Sequence, residues 1–124
     1  MAPDAGAVRY TFSYDERLHR DRDFQHVFKK GRKLVHPALF IYVYRRPEGG
    51  EARRLGLVTS RKVGSAVKRN RLKRRLREIF RLNKHNLAPG IDIIFVLRSA
   101  AVSLDYRQLS EIVMGLFAKA GAVL

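Results

Sequence analysis

Hydrophobic residues recur at helical spacing in three separate stretches of the chain. In the first stretch, Phe24, Val27 and Phe28 stand at positions i, i+3 and i+4, which predicts a short amphipathic helix. Asp21 is its expected N-cap, and Gly31 suits the position just past its C-terminal end.

The other two helical stretches lie in the second half of the chain. The longer one runs from about Ser65 to Asn86 and is ended by Pro89-Gly90. The last helix is expected to start near Asp105, with Gln108 three residues further on as the partner of a capping box. Their apolar stripes are Leu72, Leu76, Ile79 and Phe80 in the longer helix, and Leu109, Ile112, Val113, Leu116 and Phe117 in the last.

Three further stretches have strand composition. Residues 34–45 are rich in Phe, Ile, Tyr and Val, and residues 53–60 are their expected hairpin partner across the turn at residues 46–51. Residues 91–98 form a near-continuous apolar run, which is typical of a buried central strand. Alternation in the first strand predicts one face with Phe40, Tyr42 and Tyr44 and an opposite face with Leu39, Ile41 and Val43.

The resulting element order, αββαβα, predicts an α+β fold, a small two-layer α/β sandwich of one sheet and its packing helices. Residues 15–124 are expected to form a single domain, preceded by a flexible arm at residues 1–14. The pattern does not specify the order of the strands within the sheet.

Charge narrows the class of partner. The 124 residues include 26 Lys and Arg against 11 Asp and Glu, a formal net charge of +15. Self-repulsion on this scale disfavours a compact state, and a polyanion such as nucleic acid relieves it. Apolar runs stay far below the roughly 18 residues of a membrane span, and no signal peptide is evident, so we expect a cytoplasmic protein without a membrane partner.

The residues typical of a protein enzyme are missing from the sequence. Cysteine is absent, which excludes disulfides, thiolate catalysis and zinc–thiolate sites. The sequence holds no P-loop, dinucleotide-binding fingerprint or Ser-His-Asp set, and its acids form no carboxylate metal site. The four histidines, interpreted as surface or structural residues, are His19, His26, His36 and His85. We therefore expect no catalytic residue, no metal ligand and no small-molecule substrate.

The basic segment between Arg61 and Lys84 carries eleven Lys and Arg residues and one acid, Glu78. Like charges at i,i+3 and i,i+4 spacing repel one another on a helix, as between Arg71 and Arg74. Phosphates that normally neutralise these cations explain the composition better than an ordinary solvated helix does. Asn70 adds a neutral side chain that is able to contact a base edge.

Residues 62–74 resemble the Arg-Asn-Arg signature of the bacterial ribonuclease P protein subunit, with Arg69-Asn70-Arg71 at its centre. Residues 23–31, 54–57, 90–98 and 104–106 resemble further parts of that family, in its order and spacing. The resemblance covers the chain from about Leu18 to Gly121. It implies a fold like the second domain of ribosomal protein S5, with a left-handed βαβ crossover.

The resemblance also implies a function. In that family the protein assists a catalytic RNA that removes the 5′ leader of precursor tRNA, and the RNA holds the metal ions, here expected to be Mg²⁺. The residues expected to bind the catalytic RNA are Arg61, Lys62, Lys68, Arg69, Asn70, Arg71, Lys73, Arg74 and Arg77. Those expected to line a cleft for the leader are Phe24, Phe28, Tyr42, Ser60, Arg69 and Lys73.

Aromatic residues leave two interpretations open on periodicity alone. Phe24 and Phe28 lie one helical turn apart, so they belong either to the core or to a platform on which bases stack. The resemblance favours the platform and adds Tyr42, whereas Phe40 and Tyr44 are assigned to packing. The alternative function is a ribosomal or other structural RNA-binding protein without a leader-binding role. A protein nuclease and a membrane-surface protein rank lower.

Overall fold

The computed structural model describes residues 10–124, and the three predicted helices are present. Short 3-10 helices of three to five residues occur between several of the larger elements. The main elements are α1 (Asp21–Lys30), β1 (Arg32–Val35), β2 (Leu39–Arg45), β3 (Arg54–Val58), α2 (Ala66–Asn83), β4 (Ile91–Leu97) and α3 (Tyr106–Lys119). The fold is α+β, as the sequence predicted.

The strand predicted over residues 34–45 is interrupted and forms two antiparallel strands, β1 and β2. The break lies at residues 36–38, where Pro37 has no backbone N–H for a sheet hydrogen bond. The His36 N–H donates to the Leu39 carbonyl at 3.0 Å, and the Ala38 N–H donates to His36 Nδ1 at 3.0 Å. These two bonds close a tight turn that reverses the chain.

The prediction that residues 53–60 form the hairpin partner of the first strand is wrong. The sheet order is β1-β2-β4-β3, so β4 lies between β2 and β3. It pairs antiparallel with β2 and parallel with β3, and α2 makes the crossover from β3 to β4. The loop after β2 passes the end of β4, where the Arg46 N–H donates to the Gly90 carbonyl at 2.9 Å. Because β4 is buried at nearly every position, it takes an inner place in the sheet.

The main core lies on one face of the sheet, under α2 and α3. The predicted stripe of α2 is fully confirmed, since Leu72, Leu76, Ile79 and Phe80 are all buried. In α3 only Ile112 of the five predicted residues stays partly exposed. The alternation of β2 is confirmed too, with the face of Leu39, Ile41 and Val43 buried. Each such side chain contributes about 1.5–3 kcal/mol through burial.

Helix α1 packs on the opposite face of the sheet, over Ile94 of β4. Val27 is its only buried residue. The helix has ten residues and covers only part of that face. The expected N-cap Asp21 is instead the first helical residue, after Arg20, and no side chain caps the helix. Asp21 still lies in the first turn, where a carboxylate is favoured by the helix dipole. Gly31 follows α1 because a Cβ there would lie 2.5 Å from the Val27 carbonyl oxygen.

The first described residues pack against the C-terminal half of α2. The Phe12 and Phe80 rings meet edge to face at 5.7 Å, and Arg81 donates to the Tyr10 carbonyl at 2.6 Å. Lys84, which is buried, forms an ion pair with Glu16. Of the expected arm at residues 1–14, residues 1–9 lie outside the described residues, whereas residues 10–14 contact the domain.

A buried carboxylate ties the ends of three elements together. Asp92, at the start of β4, is 2% exposed and accepts hydrogen bonds from Arg46 at 2.6 Å and from Arg54 at 2.7 and 2.8 Å. The bonds to Asp92 raise the pKa of Arg54 above its ordinary value. Arg46 also donates to the Ala52 carbonyl at 2.6 Å, which fixes the loop between β2 and β3.

Asp92→Ala is expected to lower the free energy of unfolding by about 3–5 kcal/mol, because it leaves two guanidinium groups beside a site with no counter-charge. Glu111→Ala is the matched control, since its ion pair with Arg107 lies on the surface at 3.2 Å. That control should change stability by less than about 1 kcal/mol. Urea unfolding of both variants decides the question, and equal losses would contradict the structural role of Asp92.

Glu16→Gln is expected to destabilise the protein in a pH-dependent way. Burial alone raises the pKa of Glu16, but hydrogen bonds from Lys84 and Ser13 bring it below its ordinary value of 4.5. A carboxylate with a lowered folded-state pKa stabilises the fold above its unfolded pKa, and this contribution disappears as the pH falls through the folded value. The stability difference between the wild type and Glu16→Gln should therefore be full at pH 7 and vanish in acid. A difference that is independent of pH would refute the ion pair.

Candidate nucleic-acid interface

The cations of α2 point in three directions. Successive helical residues are about 100° apart, so residues at i, i+4 and i+8 form a row along one side. Arg69, Lys73 and Arg77 form such a row, which we call the cleft row. Arg77 lines a cavity together with Phe24 and Gly56, so the C-terminal end of this row faces α1 and β3.

Two other sets of side chains leave α2 in different directions. The rear row, Lys68, Arg71 and Arg75, lines a small cavity of about 130 Å³ against Val102. Arg75 donates to the Leu104 carbonyl at 3.0 Å and so helps to hold the segment before α3. The outer row, Asn70 and Arg74, is exposed and lies on the side opposite the buried stripe. One helix thus presents positive charge in more than one direction.

Within residues 10–124, none of the cations in these three rows forms an ion pair. Pairing on α2 is confined to its C-terminal half, where Arg81 bonds Glu78 at 2.6 and 3.0 Å and lowers the pKa of Glu78. The N-terminal half therefore keeps its full charge for phosphates, each of which releases counterions when it is neutralised.

The turn that leads into α2 is shaped by Gly64, whose φ of 151° few other residues adopt. Its carbonyl accepts a hydrogen bond from Arg69 at 2.8 Å, which holds the first side chain of the cleft row. Ser65 caps the helix by accepting a bond from the Lys68 N–H at 3.3 Å. Arg61 and Lys62, predicted to contact RNA, are exposed on the single 3-10 turn before Gly64, and the predicted Ser60 is exposed just ahead of it.

The three predicted aromatic residues meet on the α1 face of the sheet. The ring centroids of Phe28 and Tyr42 are 4.9 Å apart in an edge-to-face arrangement, and those of Phe24 and Phe28 are 6.5 Å apart. All three side chains are only partly buried, and they pack against the buried cluster of Leu18, Val27 and Ile94. We call Phe24, Phe28 and Tyr42 the aromatic group. One side of this group contacts the core, and its other side is exposed.

Gly56 is a site residue that the sequence analysis missed. A Cβ at this position would lie 2.6 Å from Cε1 of Phe24, so the glycine lets the ring rest directly on β3. A glycine inside a strand pattern is a recognised sign of close approach by another group, and that signal was present in the sequence.

Phe40 makes two packing contacts that the sequence did not indicate. The Lys33 ammonium lies 4.4 Å from its ring centroid, and the Arg98 guanidinium lies 4.8 Å from it. Both distances fall within the range of cation–π attraction. Lys33 lies in β1, Phe40 in β2 and Arg98 directly after β4. Their spacing in the sequence therefore does not show that they are in contact.

The histidines are dispersed in the structure. His19 stacks on Tyr14 with ring centroids 3.8 Å apart, His85 meets Tyr10 at 5.6 Å, and His36 belongs to the turn before β2. Among residues 10–124, no group of three or more His, Asp or Glu residues is placed to hold a metal ion. No helix in this part of the chain is long and apolar enough to cross a membrane.

Comparisons with known proteins agree on one family. The family model described as Ribonuclease P matches residues 12–121. The ribonuclease P protein component of Clostridium acetobutylicum is 34% identical over 110 residues, which span 89% of this chain and 92% of the relative. The solved RNase P protein of Staphylococcus aureus is 29% identical with a TM-score of 0.80, covering 88% of this chain and 98% of that one. The RNase P protein of Thermotoga maritima is 34% identical with a TM-score of 0.72, covering 84% and 96%.

Gly56→Ala is expected to push the Phe24 ring away from β3. We expect a loss of about 1–3 kcal/mol in the free energy of unfolding, from overpacking, together with weaker binding of single-stranded RNA. Gly115→Ala is the control, because no heavy atom lies within 4 Å of a Cβ there, and alanine favours the helix by up to about 1 kcal/mol. Thermal unfolding and fluorescence anisotropy with a labelled oligoribonucleotide measure both effects. Unchanged RNA binding by Gly56→Ala would contradict the assignment of Phe24 to the RNA-binding surface.

Proposed function

The chain belongs to the ribonuclease P protein family, and we propose that it binds the catalytic RNA of ribonuclease P and the 5′ leader of precursor tRNA. The observation that carries this proposal is the division of the α2 cations into rows, one of which ends at Arg77 beside Phe24 on the other side of the sheet. A protein that contacts two RNAs at once requires two such surfaces. The family comparisons favour this function over that of a ribosomal RNA-binding protein.

In this proposal the outer row, the rear row and the exposed turn at Arg61 and Lys62 bind the catalytic RNA. Their cations have no carboxylate partner among the described residues, so phosphate contacts do not have to displace existing ion pairs. Asn70, in the middle of the outer row, supplies donor and acceptor atoms for a base edge.

The cleft row and the aromatic residues then hold the leader. Phe24, Phe28 and Tyr42 offer partly exposed rings, and stacking tolerates every base because each base has a π face. Arg69 and Lys73, together with Arg77, neutralise the leader phosphates along one side of α2. A surface of this kind suits leaders of varied sequence.

The proposed contacts assign different roles to the protein and to the RNA. Phosphodiester hydrolysis is assigned to the RNA partner with its bound Mg²⁺, and the protein positions the leader and screens phosphate repulsion between the two RNAs. The protein would act in the cytoplasm, on newly made precursor tRNA. Its effect should be largest at low Mg²⁺ concentration, where the RNA partner has fewest cations of its own.

Reconstitution with a bacterial ribonuclease P RNA and precursor tRNA tests the proposal. We expect the protein to raise the cleavage rate at low Mg²⁺. Phe28→Ala should weaken binding of leader-bearing precursor roughly 5- to 150-fold, the range of one lost stacking contact, and leave binding of mature tRNA unchanged.

Tyr106→Ala is the matched control, because it also removes a partly exposed aromatic ring, here from α3 on the other side of the sheet. Cleavage no faster than with the RNA alone would overturn the proposed function. Equal losses with leader-bearing and mature tRNA would instead favour a structural RNA-binding role.

A further inference from the structure

The sheet ends on one side at β1, which pairs only with β2. This edge is opposite the edge formed by β3, and the two outer strands are about 14 Å apart across three strand spacings. The unpaired N–H and C=O groups of an edge strand are able to pair with a strand of another chain.

The turn between β1 and β2 determines which main-chain groups of β1 are free. The His36 N–H donates to the Leu39 carbonyl, so these two residues form a hydrogen-bonded pair. Hydrogen-bonded and non-hydrogen-bonded pairs alternate along an antiparallel ladder, which places Val35 and Lys33 in pairs of the second kind. Their N–H and C=O groups therefore point away from the sheet. No described residue outside the sheet forms a hydrogen bond with these groups.

The charge beside this edge is entirely positive. The sequence has no acid between Asp23 and Glu48. The exposed cations at the end of α1 and in β1 form no ion pair with a described residue, and they are Lys29, Lys30, Arg32 and Lys33. We call these four cations, with the free main chain of Lys33 and Val35, the β1-edge surface. Its charge opposes pairing with a second copy of itself and favours an acidic chain.

The side chains of β1 alternate between the two faces of the sheet. Lys33 and Val35 lie on the face of α1, and Arg32 lies on the other face. A strand added beside β1 would alternate in the same way, so its acidic residues would find a cation on either face. Val35 is 61% exposed and offers an apolar contact next to them.

The aromatic ring beside this edge is not free to stack on a base. The Phe40 ring is contacted by the Lys33 ammonium at 4.4 Å and by the Arg98 guanidinium at 4.8 Å. Surfaces for single-stranded RNA combine cations with accessible aromatic rings. A free strand edge instead presents donors and acceptors at the spacing of another main chain. The β1-edge surface therefore suits a peptide better than an RNA strand.

We propose that the β1-edge surface binds an extended acidic segment of a partner protein, which adds a fifth strand to the sheet beside β1. The main chain of the segment pairs with Lys33 and Val35, and its carboxylates contact the four cations. This inference goes beyond the proposed function, because it gives the chain a protein partner in addition to RNA.

The test uses isotope-labelled full-length protein and a short synthetic peptide of alternating glutamate and valine. Hydrogen exchange of individual amides is measured by NMR. At a peptide concentration about ten times its Kd, exchange of the Lys33 and Val35 amides should slow roughly tenfold, because only the free protein exchanges. A peptide with lysine in place of glutamate should leave both amides unchanged.

Val35→Pro removes one outward N–H, and proline is tolerated in an edge strand where the N–H faces solvent. It should weaken binding of the acidic peptide roughly 2- to 12-fold, the range of one hydrogen bond. Val35→Thr is the matched control, because it keeps the N–H and the branched shape of the side chain, and it should bind as the wild type does.

A change in the peptide tests the same contact if Val35→Pro does not fold. Methyl groups on the main-chain nitrogens of neighbouring central residues block both edges of the peptide and leave its charge unchanged, so they should abolish the slower exchange.

Three results would overturn the inference. The first is that the methylated peptide binds as well as the unmodified one, since the attraction would then be charge alone. The second is that a single-stranded oligoribonucleotide slows exchange at Lys33 and Val35 whereas the acidic peptide does not. The third is that exchange at these amides slows with protein concentration in the absence of peptide, which would indicate pairing with a second copy.

Discussion

Like-charge repulsion along α2 is the constraint on which the rest of this structure depends. The N-terminal half of the helix carries cations with no acid beside them, and each like-charge pair one turn apart costs about 0.2–0.5 kcal/mol. The same helix buries Leu72, Leu76, Ile79 and Phe80, each of which contributes about 1.5–3 kcal/mol. Burial therefore outweighs repulsion, so the helix folds while its charges stay available. The remaining repulsion between the α2 cations decreases when phosphates bind to them.

The layout of the sheet turns this charged helix into an interface with distinct sides. Helices α2 and α3 share one face, and α1 lies across part of the other, which leaves Phe24 partly exposed beside β3 and Phe28 and Tyr42 partly exposed near β2. Because β3 is an edge strand, Arg77 of α2 reaches its outer side and lines a cavity together with Phe24. The sequence suggested that β3 is the hairpin partner of β2. In that arrangement β4 would lie at the edge of the sheet, and β3 would not. Strand order is thus a determinant of the binding surface.

Local features of the sequence were sufficient for the elements and for the class of partner. Burial of Leu72 and Leu76 follows from helical period, the capping box at Asp105 from residue type, and a polyanionic partner from charge density. Contacts between distant parts of the chain were not accessible in this way. The position of β4 between β2 and β3 depends on tertiary pairing, whereas the interruption at Pro37 had a local signal, since proline has no backbone N–H. The position of Phe24 on Gly56 depends on tertiary contacts too, as do the cations around Phe40. The role proposed for the aromatic residues came from family resemblance, because periodicity alone leaves both the core and a stacking platform open.

The central claim is that neighbouring cations of α2 contact different RNAs, and two adjacent residues test it most directly. Lys73 belongs to the cleft row and Arg74 to the outer row, about 100° apart around the helix. Because the chain contains no cysteine, Lys73→Cys and Arg74→Cys each provide one unique attachment point for a photo-crosslinker. In the assembled complex, the label at position 73 should crosslink to the leader of precursor tRNA and the label at position 74 to the catalytic RNA. The same RNA and the same nucleotides crosslinked from both positions would contradict the account.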